Sequence, residues 1–126
     1  METILETLNN FQKLHPDVYI GGSISLILQN AIPPRMPKDV DIVSPKSIHI
    51  FDLFQIDRPK HRRIKRVKHE GMFFDLFINP KARYIKYMYN GNILKLSPID
   101  EICEWKLKKN NIKKEKHIKD LEYCYG

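Results

Sequence analysis

The chain has little of what a disulfide-stapled or membrane-inserted protein needs. Its only cysteines are Cys103 and Cys124, which excludes a disulfide scaffold and makes a reducing compartment the default expectation. The sequence has no long apolar run, and its beginning, METILETLNN, carries acidic rather than basic charge. These features predict neither a signal peptide nor a membrane span, and we expect a cytoplasmic protein.

Glycine is also scarce, yet two of the five glycines are adjacent, at Gly21 and Gly22. They lie in YIGGSISLIL, where a short strand gives way to an apolar helical run. Glycine inside such an element costs roughly 0.5–1 kcal/mol relative to alanine. Two explanations fit this position: a tight turn, or a phosphate group lying against bare backbone amides at a helix N-terminus.

Charge of one sign dominates the composition. Twenty-two lysines and arginines stand against 15 aspartates and glutamates, a formal net charge of +7. Such a balance favours an anionic partner, either nucleic acid or nucleotide phosphates. A Lys- and Ile-rich composition is equally typical of an AT-rich genome, so charge alone does not decide between the two.

The chain length and patterning predict an α/β (α+β) protein, a mixed β-sheet with flanking helices in a single domain of residues 1–126. The sheet core is expected at 18–96 and a C-terminal helical segment at 97–126. Ser23 and Ser97 are expected to cap helices. The predicted elements are, in order, a helix over 2–14, a strand over 18–20, a helix over 23–30, a strand over 39–43, a helix near 47–54, a hairpin of strands 64–68 and 72–78, a second hairpin turning at Asn90-Gly91, and helices from 97 onward.

Three aspartates form the candidate catalytic set. Asp39 and Asp41 are two apart on a predicted strand, so both carboxylates project from one face. Asp75 stands inside the aromatic strand MFFDLFI, where burial is costly unless the carboxylate is paired or bound to metal. Divalent cations such as Mg²⁺ prefer such hard oxygen ligands. A single aspartate is more simply a turn or cap residue, but three in this order, after a glycine pair, favour a metal site.

At this point the sequence resembles the nucleotidyltransferase superfamily, which shares the fold of the DNA polymerase β catalytic core. The resemblance lies in the order of GGS at 21–23, DVD at 39–41 and FDLF at 74–77. The sequence is most similar to the branch of abortive-infection type toxins, through Arg35 before the first aspartate and KHIKD near the end. The family's usual threonine is Pro37 here, and the gap after GGS is longer than in many members.

The resemblance implies a role for each matching residue. Asp39, Asp41 and Asp75 would be catalytic and would hold two Mg²⁺ ions, with Mn²⁺ as an alternative ion. The residues implied to bind the nucleotide triphosphate are Gly21, Gly22, Ser23, Arg35, Lys106 and Lys119. The implied reaction moves a nucleoside monophosphate from an NTP onto a hydroxyl, with pyrophosphate leaving. A solvated loop or helix face is an equally good explanation of the three basic residues.

The acceptor is the least determined part of this interpretation. The basic run RPKHRRIKRVKH at 58–69 is a candidate nucleic-acid contact, with Lys60, Arg62 and Arg63 as its predicted ligands, or a solvated loop. An RNA, with a tRNA end as one candidate, or a protein is the expected acceptor. A protein partner or a homodimer would help to select it. The alternatives are a catalytically weak module of the same fold that binds nucleic acid or protein, and a small metal-dependent nuclease.

Overall fold

Seven strands of the described chain form one mixed β-sheet. The structure is a computed structural model and describes residues 2–45, 56–57, 64–108 and 114–125. Its elements are α1 (Glu2–Leu14), β1 (Tyr19–Ile20), α2 (Gly22–Leu28), β2 (Asp39–Ser44), β3 (Ile56–Asp57), β4 (Ile64–His69), β5 (Met72–Ile78), β6 (Ile85–Tyr89), β7 (Asn92–Leu96), α3 (Ile99–Lys106) and α4 (Glu115–Tyr125). The predicted helix near 47–54 lies outside the described residues.

The strand order across the sheet is β3-β4-β5-β2-β1-β7-β6. Strands β2 and β5 are parallel, as are β1 and β7, and the other neighbours are antiparallel. The predicted mixed sheet with flanking helices is confirmed. The long β2–β5 pairing lies near the middle of the sheet, where both strands have a partner on each side.

Both predicted hairpins are present and have the same turn chemistry. Glu70 and Gly71 join β4 to β5 with φ of 48° and 80°, and Asn90 and Gly91 join β6 to β7 with φ of 47° and 76°. Positive φ at both central residues of a two-residue loop is the type I′ geometry, whose twist matches that of the flanking strands. These turns set the register of each hairpin without help from tertiary contacts.

The main core lies on one face of the sheet, under α1. Alternation along β2 buries Val40 and Ile42, and helix α1 brings Leu8 and Phe11 onto the same cluster. Burial of each such side chain contributes roughly 1.5–3 kcal/mol. Because successive side chains of a strand point to opposite faces, burial of Val40 and Ile42 directs Asp39 and Asp41, which alternate with them, to the other face.

A smaller cluster attaches the C-terminal helices. Leu26 and Ile27 of α2 pack with Ile32 and with Ile102 of α3, and Cys124 of α4 joins them at the edge.

No helix in the described part of the chain has both the length and the apolar character needed to cross a bilayer.

The predicted helix caps were wrong. Helix α2 begins at Gly22 with Gly21 as its N-cap, and α3 begins at Ile99 with Pro98 as its N-cap; neither has a side-chain cap bond. Ser97 is instead held by the sheet, because its N–H donates to the Ile20 carbonyl at 2.7 Å. Its own carbonyl accepts a 2.7 Å hydrogen bond from Ser25 Oγ, which ties α2 to the end of β7.

The buried amide of Gln12 joins α1 to the sheet. Its Nε2 donates to the carbonyls of His15 at 3.1 Å and Val18 at 2.7 Å, and its Oε1 accepts from the Lys95 N–H at 3.1 Å. One side chain therefore satisfies backbone groups both of the turn before β1 and of β7. The two-residue strand β1 is too short to pair with these groups.

We expect Gln12→Leu to lower the free energy of unfolding by about 2–3 kcal/mol, because it leaves buried backbone groups without partners. Glu6→Leu, at an exposed position of the same helix, is the matched control and should change stability little. Urea unfolding followed by circular dichroism measures both, and equal losses would show that the amide network contributes nothing of its own.

Candidate active site

The parallel pairing of β2 and β5 brings the three predicted acids together. Asp41 lies directly beside Asp75 in the register, and Asp39 lies two residues earlier on the same face of β2. Asp75 is buried, while Asp39 and Asp41 are half-buried. The sheet thus concentrates three carboxyl groups on the face opposite the main core.

The surroundings of Asp41 disfavour its ionised form. Burial, together with the nearby Asp75 and Asp39, raises its pKa from 3.8 to about 6, although Lys106 and Lys116 act in the opposite direction. A carboxyl group with a raised pKa is one whose ionised form the folded protein disfavours. Asp41 therefore lies where additional positive charge would be favourable.

The glycine pair closes directly over Asp41. The Gly21 N–H donates to the Asp41 carbonyl at 2.8 Å, and Gly22 has a φ of +57°. A Cβ on Gly22 would lie 2.3 Å from Asp41 Oδ2, far inside van der Waals contact. Gly22 is consequently required by the Asp41 carboxylate itself, a reason independent of any phosphate. Ser23, the third residue of the predicted phosphate turn, is half-buried in the first turn of α2.

Arg66 of β4 spans two of the three acids. Its Nε and one terminal nitrogen donate to the two oxygens of Asp75 at 2.6 Å and 2.9 Å, and the same terminal nitrogen donates to Asp39 Oδ2 at 2.9 Å. The bonds to Asp75, and then those to Asp39, raise the pKa of Arg66 above its ordinary value. The guanidinium is therefore a permanent positive charge within the acidic cluster.

Sequence reasoning did not single out Arg66, although a signal for it was present. Once a two-residue turn is placed at Glu70-Gly71, counting outward pairs His69 with Met72 and Arg66 with Asp75, as observed. Directly opposed residues share a face of the sheet. The predicted hairpin thus already contained the contact between the arginine and the third acid.

A second ionic cluster lies where the C-terminal helices meet the loop after α2. Asp120, fully buried, accepts hydrogen bonds from both terminal nitrogens of Arg35 at 2.7 Å and 3.0 Å, and Lys106 Nζ lies 3.0 Å from its Oδ2. Burial alone would raise the pKa of Asp120, but the bonds from Arg35 and Lys106 outweigh it and lower that pKa. Two predicted nucleotide ligands, Arg35 and Lys106, thus share one internal carboxylate.

His117 completes this cluster in its neutral form. Lys106, only 3% exposed, places Nζ 2.8 Å from His117 Nδ1. Burial and the neighbouring Lys106 and Lys116 lower the pKa of His117 to about 4. At neutral pH the imidazole nitrogen therefore accepts a hydrogen bond from the lysine.

The remaining predicted ligands are farther from this geometry. Lys119 is exposed on α4, next to Asp120. Lys60, Arg62 and Arg63 lie outside the described residues. Lys116, which the sequence analysis did not name, acts electrostatically on Asp41 from α4.

The three acids have the oxygen donors that a divalent cation prefers, but they are not arranged around an ion site. Three carboxylates, one with a raised pKa, supply the hard oxygen donors that Mg²⁺ prefers. Within the described ranges, however, no group of three Asp, Glu, His or Cys side chains is arranged to hold an ion. The Arg66 guanidinium bonds both Asp39 and Asp75, so the carboxylates fit such an ion in donor type while two of them are paired with this arginine.

Comparison with known proteins supports the fold. No protein-family model matches the chain, and no curated protein matches it by sequence. Among solved structures it is similar to ANT(2″)-Ia in complex with adenylyl-2″-tobramycin, with a TM-score of 0.67, 11% identity and coverage of 97% of this chain and 86% of that one. It is also similar to the lincomycin-bound lincosamide antibiotic adenylyltransferase LnuA, with a TM-score of 0.61, 14% identity and 98% coverage of both chains.

A third similar structure is a Thermotoga maritima protein named as a candidate nucleotidyltransferase, with a TM-score of 0.60, 16% identity and coverage of 93% of this chain and 89% of that one. At these identities the likeness is one of fold. The chain therefore has the nucleotidyltransferase fold, as the resemblance implied, and the abortive-infection branch stays a prediction.

We expect Gly22→Ala to destabilise the protein more than Gly71→Ala does. Both positions have positive φ, a backbone strain of about 1–2 kcal/mol for alanine, but the space around Gly71 is open whereas that around Gly22 holds Asp41. Thermal unfolding of both variants, and of Gly22→Ala combined with Asp41→Ala, separates strain from the clash. Equal losses in the two single variants would contradict the close approach to Asp41.

Asp120→Asn should lower the free energy of unfolding by about 3–5 kcal/mol, because it leaves the buried Lys106 without a carboxylate. Asp100→Asn is the matched control, since Asp100 also pairs with an arginine, Arg83, but on the surface. Chemical denaturation of both variants decides whether the Asp120 cluster holds the helices together. A loss no larger than that of the control would leave Arg35 and Lys106 without a structural role.

Proposed function

We propose that the protein is a Mg²⁺-dependent nucleotidyltransferase that moves a nucleoside monophosphate from an NTP onto a hydroxyl group of an acceptor. The observation that carries the proposal is the position of Asp39, Asp41 and Asp75 on adjacent strands beside the Gly21-Gly22 turn. A structural site has little reason to gather three carboxylates on one face, and the nucleotidyltransferase fold gives that gathering a use.

The chemistry assigned to this site is an in-line displacement at the α-phosphorus. The acceptor oxygen attacks, pyrophosphate leaves, and Asp75, as general base, takes the acceptor proton. Asp39 and Asp41 would hold the Mg²⁺ ions together with Asp75, and the ions would neutralise the triphosphate and increase the acidity of the acceptor hydroxyl. The backbone at Gly21, Gly22 and Ser23 would lie against the phosphates, with Lys116 of α4 as a neighbouring positive charge.

Two kinds of acceptor follow from different observations. The basic run at 58–69 and the net charge of +7 favour RNA, as predicted from the sequence, or a protein that presents a hydroxyl. The likeness to two antibiotic adenylyltransferases of nearly the same extent favours a small hydroxylated molecule. Incubation with each α-labelled NTP, Mg²⁺ and either total RNA, lysate protein or a small-molecule extract distinguishes them by which fraction gains label.

Asp41→Asn should reduce transfer by more than about 100-fold, since loss of even an outer-shell partner of a metal costs 10–100-fold. Asp17→Asn, at an exposed aspartate in the turn before β1, is the matched control and should transfer normally. Equal label transfer by wild type and Asp41→Asn would contradict the proposal and leave the binding module as the better interpretation.

The same variant should be more stable than the wild type without metal. The folded-state pKa of Asp41 is raised from 3.8 to about 6. Asp41 is therefore protonated and does not lower the free energy of unfolding below pH 3.8, whereas above about pH 6 it is ionised and lowers that free energy by the full amount. Asp41→Asn should therefore gain about 3 kcal/mol at pH 7.5 and lose this advantage near pH 4. Thermal unfolding in EDTA across this range measures it, and it also shows that lost activity is not lost folding.

A further inference from the structure

Arg66 is held against the acidic cluster by three independent constraints. The register of β4 and β5 places it opposite Asp75, its guanidinium donates to Asp75 and Asp39, and its Cζ lies 5.0 Å from the centre of the Phe73 ring. The side chain is only 14% exposed. An arginine fixed in this way is a built part of the site rather than a solvated surface charge.

The oxygens that Arg66 occupies are the ones that the proposed reaction requires. Both oxygens of Asp75 accept hydrogen bonds from it, and Asp39 contributes Oδ2. A metal ion or an acceptor proton that approaches Asp75 therefore has to share or displace these two bonds. Charge-assisted, two-point bonds of this kind are among the strong ones in proteins. The Oδ2 of Asp41 lies towards Gly22.

We propose that Arg66 is a built-in counter-cation, an inference that rests on the proposed function. Its guanidinium holds Asp75 and Asp39 in the metal-free protein and competes with divalent cations for these two carboxylates. Full assembly of the site then requires the guanidinium to release Asp75. The anionic triphosphate of the substrate offers it an alternative partner, since a guanidinium binds phosphate oxygens as readily as carboxylates. Nucleotide binding and completion of the acidic site would thus be coupled through one side chain.

Lys68 supplies a matched control on the same strand. It lies two residues from Arg66 on the same face, places its Nζ 5.6 Å from the same Phe73 ring, and is exposed. Lys68→Gln removes the same unit of charge from the same region without removing a bond to an acid. A difference between Arg66→Gln and Lys68→Gln therefore reports the contacts of Arg66 and not the general field.

The experiment is Mn²⁺ titration of the full chain without nucleotide, followed by electron paramagnetic resonance of the free ion. Arg66→Gln should bind Mn²⁺ about tenfold or more tightly than the wild type, because charge-assisted bonds no longer compete for the carboxylates. Arg66→Lys, which keeps the charge without the planar fork, should fall between them, and Lys68→Gln should match the wild type. In EDTA, Arg66→Gln should melt below the wild type, and Mn²⁺ should raise its melting temperature by more.

The outcomes separate this inference from the proposed function. Equal or weaker Mn²⁺ binding by Arg66→Gln, with the wild type still binding, overturns the competition alone; weaker binding would show that the arginine positions the acids. Equal tightening by Lys68→Gln also overturns it, in favour of a general charge effect. Absence of Mn²⁺ binding in every variant overturns the metal-dependent function as well. Should Arg66→Gln fail to fold, the comparison of Arg66→Lys with Lys68→Gln decides the question in the same way.

Discussion

The structure depends on a concentration of negative charge that the sheet itself creates. Parallel pairing of β2 with β5 sets Asp41 beside Asp75, and the two-residue periodicity of β2 adds Asp39 to the same face. The hydrophobic face of those strands cannot be buried without this consequence, because a shift by one residue would bury the aspartates and expose the core. Burial of the hydrophobic face therefore brings the carboxylates close together, and their proximity contributes to the raised pKa of Asp41.

Compensation for this negative charge reaches the acids from two sides of the molecule. Arg66 approaches from β4 and bonds Asp39 and Asp75, while Lys106 and Lys116 approach from the C-terminal helices and act on Asp41. Lys106 is held in turn by Asp120 and His117, so the ionic cluster that packs α4 against α3 also fixes a charge near the candidate site. Lys106 therefore contributes both to the packing of the C-terminal helices and to the electrostatic environment of Asp41.

The likeness to antibiotic adenylyltransferases at 11–14% identity shows how little sequence the fold requires. The likeness is one of overall fold, and one fold can host many functions. The likeness therefore does not by itself identify an acceptor for this chain.

The sequence by itself determined both hairpins, the first helix and the strands that carry the acids, since each rests on local chemistry, but it gave no sign of the short strand β3 (Ile56–Asp57). Asn-Gly and Glu-Gly turns, the alternation in DVDIV, and proline and glycine at element ends act over a few residues and are readable from them. The helix caps were mispredicted because Ser97 pairs with Ile20, a strand neighbour far away in the chain.

Only the tertiary structure decided which charges face one another. It set Arg35 and Lys106 on Asp120, closed Gly22 over Asp41, and placed Arg66 between two acids. The physical reason is that an ion pair is defined by distance through space and by burial, and both are settled by the packing of β2 between β5 and β1 and of α4 on α3.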